Sequence, residues 1–264
     1  EHEYADRRLV LLGAASPGAE GGDDDAEDGP VGNVLRLDGR GRQDEYLWST
    51  EHERWTSPIA LYSSLFREHD RLVERTPEGV RYSYRDFDGS GAAGRLLEIV
   101  DRNGNRITLT RDTGGRLREA RDSLGRQIVY EWSEAGFIET ITDFAGRTLR
   151  YGHDQAGNLV TFTGPAVSGT PNGNDFPSGK TTRYRYRGQG SPRIAHNLVA
   201  IVSPRESARE DGAAWLTNHY VEDPRDPDYD RVVVQDHGGT NDSGVEAGGR
   251  YSLTYVVGDA SDDV

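Results

Sequence analysis

Histidine and carboxylate side chains are the first candidates for chemistry in this sequence, whose 264 residues include seven His but no Cys and no Met. His219 with Glu222 or Asp223 would form an acid/base pair for a hydrolase, although carboxylates near any histidine are expected by chance in so acidic a C-terminal region. His52 has a Glu on each side, a spacing that does not match a metal-binding helix. We therefore predict no enzyme activity, no catalytic residue, no metal site and no cofactor.

A second candidate for chemistry is the run from Asp101 to Asn105, whose oxygen-bearing side chains resemble the start of a calcium loop. The later bidentate Glu of such a loop is missing, and the equivalent run from Asp122 to Gly125 lacks ligands. Asp can bond to its own backbone two residues on, and Gly accepts a positive φ, so a tight turn accounts for both runs. The acidic residues 20–28 are interpreted as a solvated loop.

These turns belong to an internal repeat of 21 residues, and a repeat of that length determines the fold. Each unit contains two stretches of about six residues, the usual length of a strand, separated by two turns. The pattern predicts an all-β fold, a meander of antiparallel hairpins that forms a curved sheet with little helix, and the family resemblance described below extends this to part of a spiral β-shell. The predicted structural turn residues are Asp101, Gly104, Gly115, Asp122, Gly125, Gly136, Asp143, Gly146 and Gly157.

Apolar residues alternate regularly in the second strand of each unit but not in the first. Ile107 and Leu109 lie two apart and share one face of a strand. Leu96 and Ile99 lie three apart, which requires either a β-bulge or side chains on opposite faces. The sequence leaves both alternatives open.

The repeat resembles the Rhs or YD-repeat family, whose unit runs approximately G-R-L-x-x-[I/V]-x-D-x-x-G-[R/N]-x-[I/L]-x-[Y/F]-x-Y-D. Residues 94–112 and 136–154 are the best copies. The resemblance implies a hairpin ribbon that spirals into a hollow shell, as in bacterial Rhs toxins, insecticidal toxin complexes and teneurins. His153 stands where the family prefers an aromatic residue, so we expect it to pack. The Asp-Pro-x-Gly-Leu motif of self-cleaving bacterial members is absent from the sequence, so no catalytic residue is transferred.

The resemblance extends more weakly on both sides and suggests three regions. Residues 1–93 are predicted to be lead-in strands with an acidic loop at 20–28, and residues 94–163 to be the YD repeats. Residues 164–264 are predicted to continue the repeat with an acidic tail and insertions near 164–180, 205–214 and 240–249. Unpaired sheet edges at both ends favour an interior segment of a larger object.

Charge and composition restrict the class of partner. The net charge of −14 lies in residues 20–28 and 222–264, which contribute −6 and −8. Such acidity argues against nucleic-acid binding, which needs clustered bases, and the sequence has no apolar run long enough to insert into a membrane.

The sequence therefore predicts a structural segment of a secreted or cell-surface β-shell that encloses or displays a toxin or effector domain. Its partners would be neighbouring segments of the shell and the enclosed toxin domain. The alternative is a surface adhesin or carbohydrate-binding repeat module whose aromatic side chains stack on glycans, although cross-strand packing is the more ordinary role of such residues.

Overall fold

The structure is a computed structural model that describes residues 7–12, 32–173, 175–188, 190–209, 212–238 and 248–256. The acidic residues 20–28 and most of the 240–249 insertion lie outside these ranges. The chain divides into two compact units, residues 1–130 and 131–264. Each unit is described separately below.

The first unit contains two antiparallel sheets. One has the strand order β1-β2-β3-β4, and the other follows the chain from β5 onward. The strands are β1 (Arg8–Leu12), β2 (Asn33–Leu37), β3 (Gln43–Ser49), β4 (Arg54–Thr56), β5 (Ser64–Glu68), β6 (Arg71–Arg75), β7 (Arg81–Arg85), β8 (Leu96–Val100), β9 (Arg106–Arg111), β10 (Leu117–Asp122) and β11 (Gln127–Trp132), which runs past the unit boundary.

The second unit continues as an antiparallel succession in which strands adjacent in sequence pair with each other. Its two helices have only four residues each, and no helix in the described ranges has the length and apolar character of a membrane span. The elements are β12 (Ile138–Thr142), β13 (Thr148–His153), β14 (Leu159–Thr163), β15 (Thr181–Tyr186), α1 (Pro192–Ala195), β16 (Leu198–Val202), α2 (Pro204–Ser207), β17 (Leu216–Tyr220), β18 (Val232–His237) and β19 (Gly249–Ser252). The prediction of an all-β fold of antiparallel hairpins with little helix is confirmed.

The first unit has a well-buried core, because apolar side chains from its two sheets meet. Each fully buried side chain of this size contributes about 1.5–3 kcal/mol by leaving water. The core includes Val34, Tyr46, Leu65, Leu72, Tyr84 and Leu96, each at most 2% exposed. In the second unit most strand residues are half-buried, with Ile141, Ala200 and Val202 among the fully buried ones.

A β-bulge explains the irregular spacing of the first strand in each repeat. Leu96 pairs with Tyr84 and Glu98 pairs with Ser83, so Leu97 is an extra residue that brings Leu96 and Ile99 onto the same face. The same shift occurs 21 residues later on β10 between Leu117 and Glu119. It occurs again in the second unit on β14, where Gly152 pairs with Thr161 and His153 with Leu159. Of the two alternatives left by the sequence, the structure has the bulge.

Candidate functional site

Five of the six repeated turns between residues 101 and 158 are built around an aspartate whose carboxylate fixes the chain direction, and Ser133 takes that place in the sixth. Oδ1 of Asp101 accepts hydrogen bonds from the backbone N–H groups of Asn103 at 2.8 Å and Asn105 at 2.9 Å. The backbone N–H of Gly104 donates to the Asp101 carbonyl at 3.1 Å, and the Asp101 N–H donates to the Asn105 carbonyl at 3.0 Å. Asp112, Asp122, Asp143 and Asp154 make the same four bonds in their own turns.

The glycine that ends each turn adopts a left-handed conformation. This geometry, a tight turn followed by a left-handed residue, forms a three-residue hairpin loop. All six predicted turn glycines lie there, with φ between +77° and +89°: Gly104, Gly115, Gly125, Gly136, Gly146 and Gly157. Gly115 has a further constraint, because a Cβ built on it would lie 2.4 Å from the Gly91 carbonyl oxygen.

The residue after the glycine completes the turn through its side chain. Asn105 and Asn158 donate to the second carboxylate oxygen of their turn aspartates at 2.6 and 2.9 Å. Arg126 and Arg147 do so through ion pairs of 2.6 Å with Asp122 and Asp143. In these four turns the Arg or Asn of the G-[R/N] step reaches the second carboxylate oxygen, whereas in the Asp112 turn Arg118 pairs with that oxygen.

The turn carboxylates are held by donors that favour their charged form. The side chain of Asn105 and the backbone N–H groups of its turn lower the pKa of Asp101, and the Arg147 side chain acts in the same way on the pKa of Asp143. The oxygens of Asp101 are occupied by the protein's own N–H groups. Within the described ranges, no group of three or more His, Asp or Glu side chains lies close enough together to bind a metal.

The histidines take positions that differ from the acid/base pair considered in the sequence. His219 Nε2 lies 2.9 Å from Oδ2 of Asp236 on the neighbouring strand, whereas Glu222 bonds to Arg187 at 2.5 Å. His153 stacks on Phe137 with ring centroids 4.6 Å apart.

A buried charge cluster, which sequence reasoning missed, lies between the two sheets of the first unit. We define it as Arg7, Arg36, Asp44, Glu74 and Tyr84. Glu74 on β6 is completely buried and accepts from Arg36 Nη1 at 2.6 Å and Arg7 Nη2 at 2.9 Å. The Tyr84 hydroxyl donates to Glu74 at 2.8 Å and accepts from Arg7 Nε at 2.9 Å. Arg36 also pairs with Asp44.

The cluster gives the Glu74 carboxylate a strong preference for its charged form. Burial alone would raise the pKa of Glu74, but the Arg7 and Arg36 guanidiniums and the Tyr84 hydroxyl outweigh burial and hold that pKa below its usual value. Burial and the Glu74 charge raise the pKa of Tyr84 well above that of a free tyrosine. These directions favour a structural network in which Glu74 is charged and Tyr84 is neutral, and Nε of Arg36 is the one fully buried cluster nitrogen without a hydrogen-bond partner among the described residues.

Strand β1 is held on both edges, which explains how Arg7 reaches the cluster. β1 pairs with β2 along its length, and the Leu9 N–H donates to the Gly94 carbonyl at 2.8 Å. A Cβ on Gly94 would lie 2.0 Å from the Leu9 carbonyl oxygen, so this position requires glycine. The repeat therefore begins at a residue that also joins the two sheets.

Several solved structures are similar to this chain at low sequence identity. No curated protein sequence matches the chain. Among solved structures, the chain is similar to TcdB2-TccC3 without its hypervariable C-terminal region, with 13% identity and a TM-score of 0.47, covering 85% of this chain and 12% of that one. It is also similar to the Photorhabdus luminescens Tc holotoxin pore, with 14% identity and a TM-score of 0.42, covering 79% of this chain and 11% of that one.

The chain thus spans about an eighth of the length of the first of these structures. A family model gives a more local match. Residues 92–127, which contain the turns at Asp101, Asp112 and Asp122, match the family described as RHS Repeat. The resemblance to Rhs/YD repeats is confirmed by this match, which covers residues 92–127.

Proposed function

We propose that the chain is a structural segment of an Rhs-type β-shell that encloses or displays a toxin or effector domain in a secreted or cell-surface protein. The observation that carries the proposal is the regular succession of hairpins, in which the same turn recurs every 10 or 11 residues from Asp101 to Asp154, with Ser133 in place of aspartate in one of the six turns. Each hairpin contacts its neighbours in sequence, as in repeat proteins that extend by adding units. The RHS repeat match at residues 92–127 supports this proposal.

The polar side chains of the chain support a structural role over a catalytic one. The carboxylate oxygens of the turn aspartates accept hydrogen bonds from backbone N–H groups. Those of Glu74 accept hydrogen bonds from two arginines and a tyrosine. A catalytic carboxylate needs an oxygen free to meet a substrate. We therefore propose that the chain is not an enzyme.

The partners that we propose are neighbouring segments of the shell. Strand β19 pairs with β18, and within the described residues its other edge has no strand partner. Tyr251 on this strand is 62% exposed. An open edge with an exposed apolar side chain suits a further strand or segment that covers it.

Cryo-electron microscopy of the protein that carries this chain would test the proposal. We expect a hollow particle with this chain in its wall, together with a domain inside that resists protease until the particle is opened. A solid particle would contradict the proposal, as would a domain that is digested as fast in the intact particle as in an unfolded one.

A row of exposed aromatic rings favours a second candidate, glycan binding. The Trp215 and His237 ring centroids lie 5.8 Å apart, and those of His237 and Tyr251 lie 5.2 Å apart. Trp215 is 48% exposed and Tyr251 is 62% exposed, whereas Trp48 packs edge-to-face on its cross-strand partner Trp55.

A glycan array would test this second candidate with Trp215→Ala as the variant and Trp48→Ala as the matched control. Hits that disappear with Trp215→Ala and remain with Trp48→Ala would support glycan binding. An array without hits, combined with hollow particles, would decide for the shell.

A further inference from the structure

A groove on one face of the second unit has an unusual chemical lining. Its floor is formed by side chains of β13, β14 and β15, and its wall by the loop between β14 and β15. This loop folds back on itself through paired hydrogen bonds between Val167 and Phe176. The resulting cavity has a volume of about 650 Å³.

The floor of the groove presents hydroxyl groups in hydrogen-bonded pairs. Thr163 and Thr181 are cross-strand partners whose hydroxyl oxygens lie 2.9 Å apart. Thr148 forms a similar pair with Thr142 at 3.2 Å. In each pair one hydroxyl donates to the other, and the proton of the accepting hydroxyl is free to point elsewhere. Thr163 and Thr181 both line the groove, so this pair has one O–H donor left for a ligand there.

Two guanidiniums lie beside these hydroxyls, and the lining residues include no acid. Arg150 is the cross-strand partner of Thr163, and among the described residues its guanidinium has no carboxylate within ion-pair distance. Arg147 is 65% exposed and pairs with Asp143 at 2.6 Å, so its charge is partly balanced. Arginine has donors only and binds carboxylates in a two-pronged geometry.

We propose that this groove binds an acidic peptide, with a carboxylate side chain on Arg150 and its other acceptors on the threonine hydroxyls. A lining rich in hydrogen-bond donors favours a ligand rich in hydrogen-bond acceptors. No aromatic ring lines the groove, so a sugar would lack the stacking platform that such ligands use. Two arginines are also too few for a nucleic acid, whose binding depends on clustered bases. This inference is independent of the shell proposal, because a peptide site can lie on a shell or on an adhesin.

Fluorescence anisotropy with labelled hexaglutamate tests the proposal directly. We expect saturable binding that weakens as salt is added, because the contact is between charges near the surface. Labelled hexalysine is the matched probe of opposite charge and should not bind. Arg150→Gln should weaken the hexaglutamate Kd by about tenfold, the loss of one charge-assisted pair, and Arg150→Lys should weaken it less.

The control variant is Arg183→Gln. Arg183 lies on β15 two residues beyond Thr181, pairs with Thr161, and is exposed without lining the groove. Its substitution should change the Kd by less than about twofold, since an exposed charge outside the site is screened. Thr163→Val should reduce affinity while the circular dichroism spectrum of the sheet is retained.

Three results would overturn the proposal. The first is that hexaglutamate fails to bind the wild-type chain. The second is that Arg183→Gln weakens binding as much as Arg150→Gln, which would indicate a general charge effect. The third is that tetragalacturonate binds in an Arg150-dependent manner and hexaglutamate does not, which would make the ligand a carboxylated sugar.

Discussion

Glu74 on β6 accepts a hydrogen bond of 2.6 Å from Arg36 on β2, so a buried ion pair joins the two sheets of the first unit. A buried ion pair adds little net stability compared with an apolar pair, because both charges lose their hydration. An arrangement of the two sheets that separated Glu74 from Arg36 would leave buried charges unpaired, and that cost disfavours it.

Removing the Glu74 charge should destabilise the first unit strongly. Glu74→Gln removes the carboxylate partner of Arg7 and leaves Arg36 with Asp44 alone, and we expect the free energy of unfolding to fall by about 3–5 kcal/mol. Urea denaturation followed by tryptophan fluorescence measures this change. Glu68→Gln is the matched control, since Glu68 pairs with Arg81 near the surface and should cost no more than about 1 kcal/mol. Equal losses for the two variants would contradict the role of the buried cluster.

Alanine should be tolerated differently at two turn glycines of identical backbone conformation. Gly115 and Gly125 both have φ of +83°, so alanine at either position carries the left-handed penalty of about 1–2 kcal/mol. A Cβ on Gly125 meets nothing within 4 Å, whereas one on Gly115 lies 2.4 Å from the Gly91 carbonyl oxygen. We expect Gly115→Ala to lower the thermal midpoint clearly more than Gly125→Ala. Equal thermal midpoints for the two variants would show that the close approach to Gly91 does not affect the stability of the fold.

Stability should fall in acid as the turn aspartates take up protons. The pKa values of these aspartates are lower in the folded chain than in the unfolded chain. For Asp122, desolvation would raise the pKa, but the bonds from Arg126 and from the backbone of its turn outweigh desolvation. The unfolded chain therefore binds protons more readily. The stabilisation is complete above the unfolded pKa of about 3.9 and is lost as pH falls through the lower folded values.

Urea denaturation at several pH values below about 5 measures this slope. Asn in place of Asp101, Asp122 and Asp143 keeps an oxygen acceptor for the turn and removes the titrating group. This triple variant should therefore have a flatter profile than the wild type. An unchanged slope would show that other carboxylates control the acid transition.

Deleting a bulge residue should cost less than deleting a residue from a regular strand. Without Leu97 the chain reads Leu96, Glu98, Ile99, which restores simple alternation and keeps both apolar residues on one face. Deletion of Thr108 from β9 would instead move either Ile107 or the buried Leu109 to the opposite face, at about 1.5–3 kcal/mol for exposing the side chain. Denaturation midpoints of the two deletions provide the comparison, and a larger loss for the Leu97 deletion would contradict this account of the bulge.

The turns could be predicted from sequence because their chemistry is local. Asp101 and Gly104 lie three residues apart, and the bonds that define the turn involve only residues 101–105. The bulge at Leu97 was one of two alternatives, since it depends on pairing with a partner strand. The spacing of Leu96 and Ile99 was its signal.

The buried charge cluster could not be predicted from sequence in the same way. Glu74 lies 38 residues from Arg36 and 67 residues from Arg7, and no local pattern relates them. The one signal was the charge of Glu74 directly after Leu72 and Val73, within an otherwise buried stretch of β6. A charge at such a position indicates a buried partner but does not identify it.

The bulge also bears on how such a chain can evolve. A duplicated stretch of 21 residues brings two strands, both turns and its own extra residue at the position of Leu97 or Arg118. It can therefore be inserted without moving any later side chain to the wrong face. Whole-unit duplication or loss in the gene would change the number of hairpins, whereas an insertion of any other length would have to be absorbed by a loop such as residues 164–180.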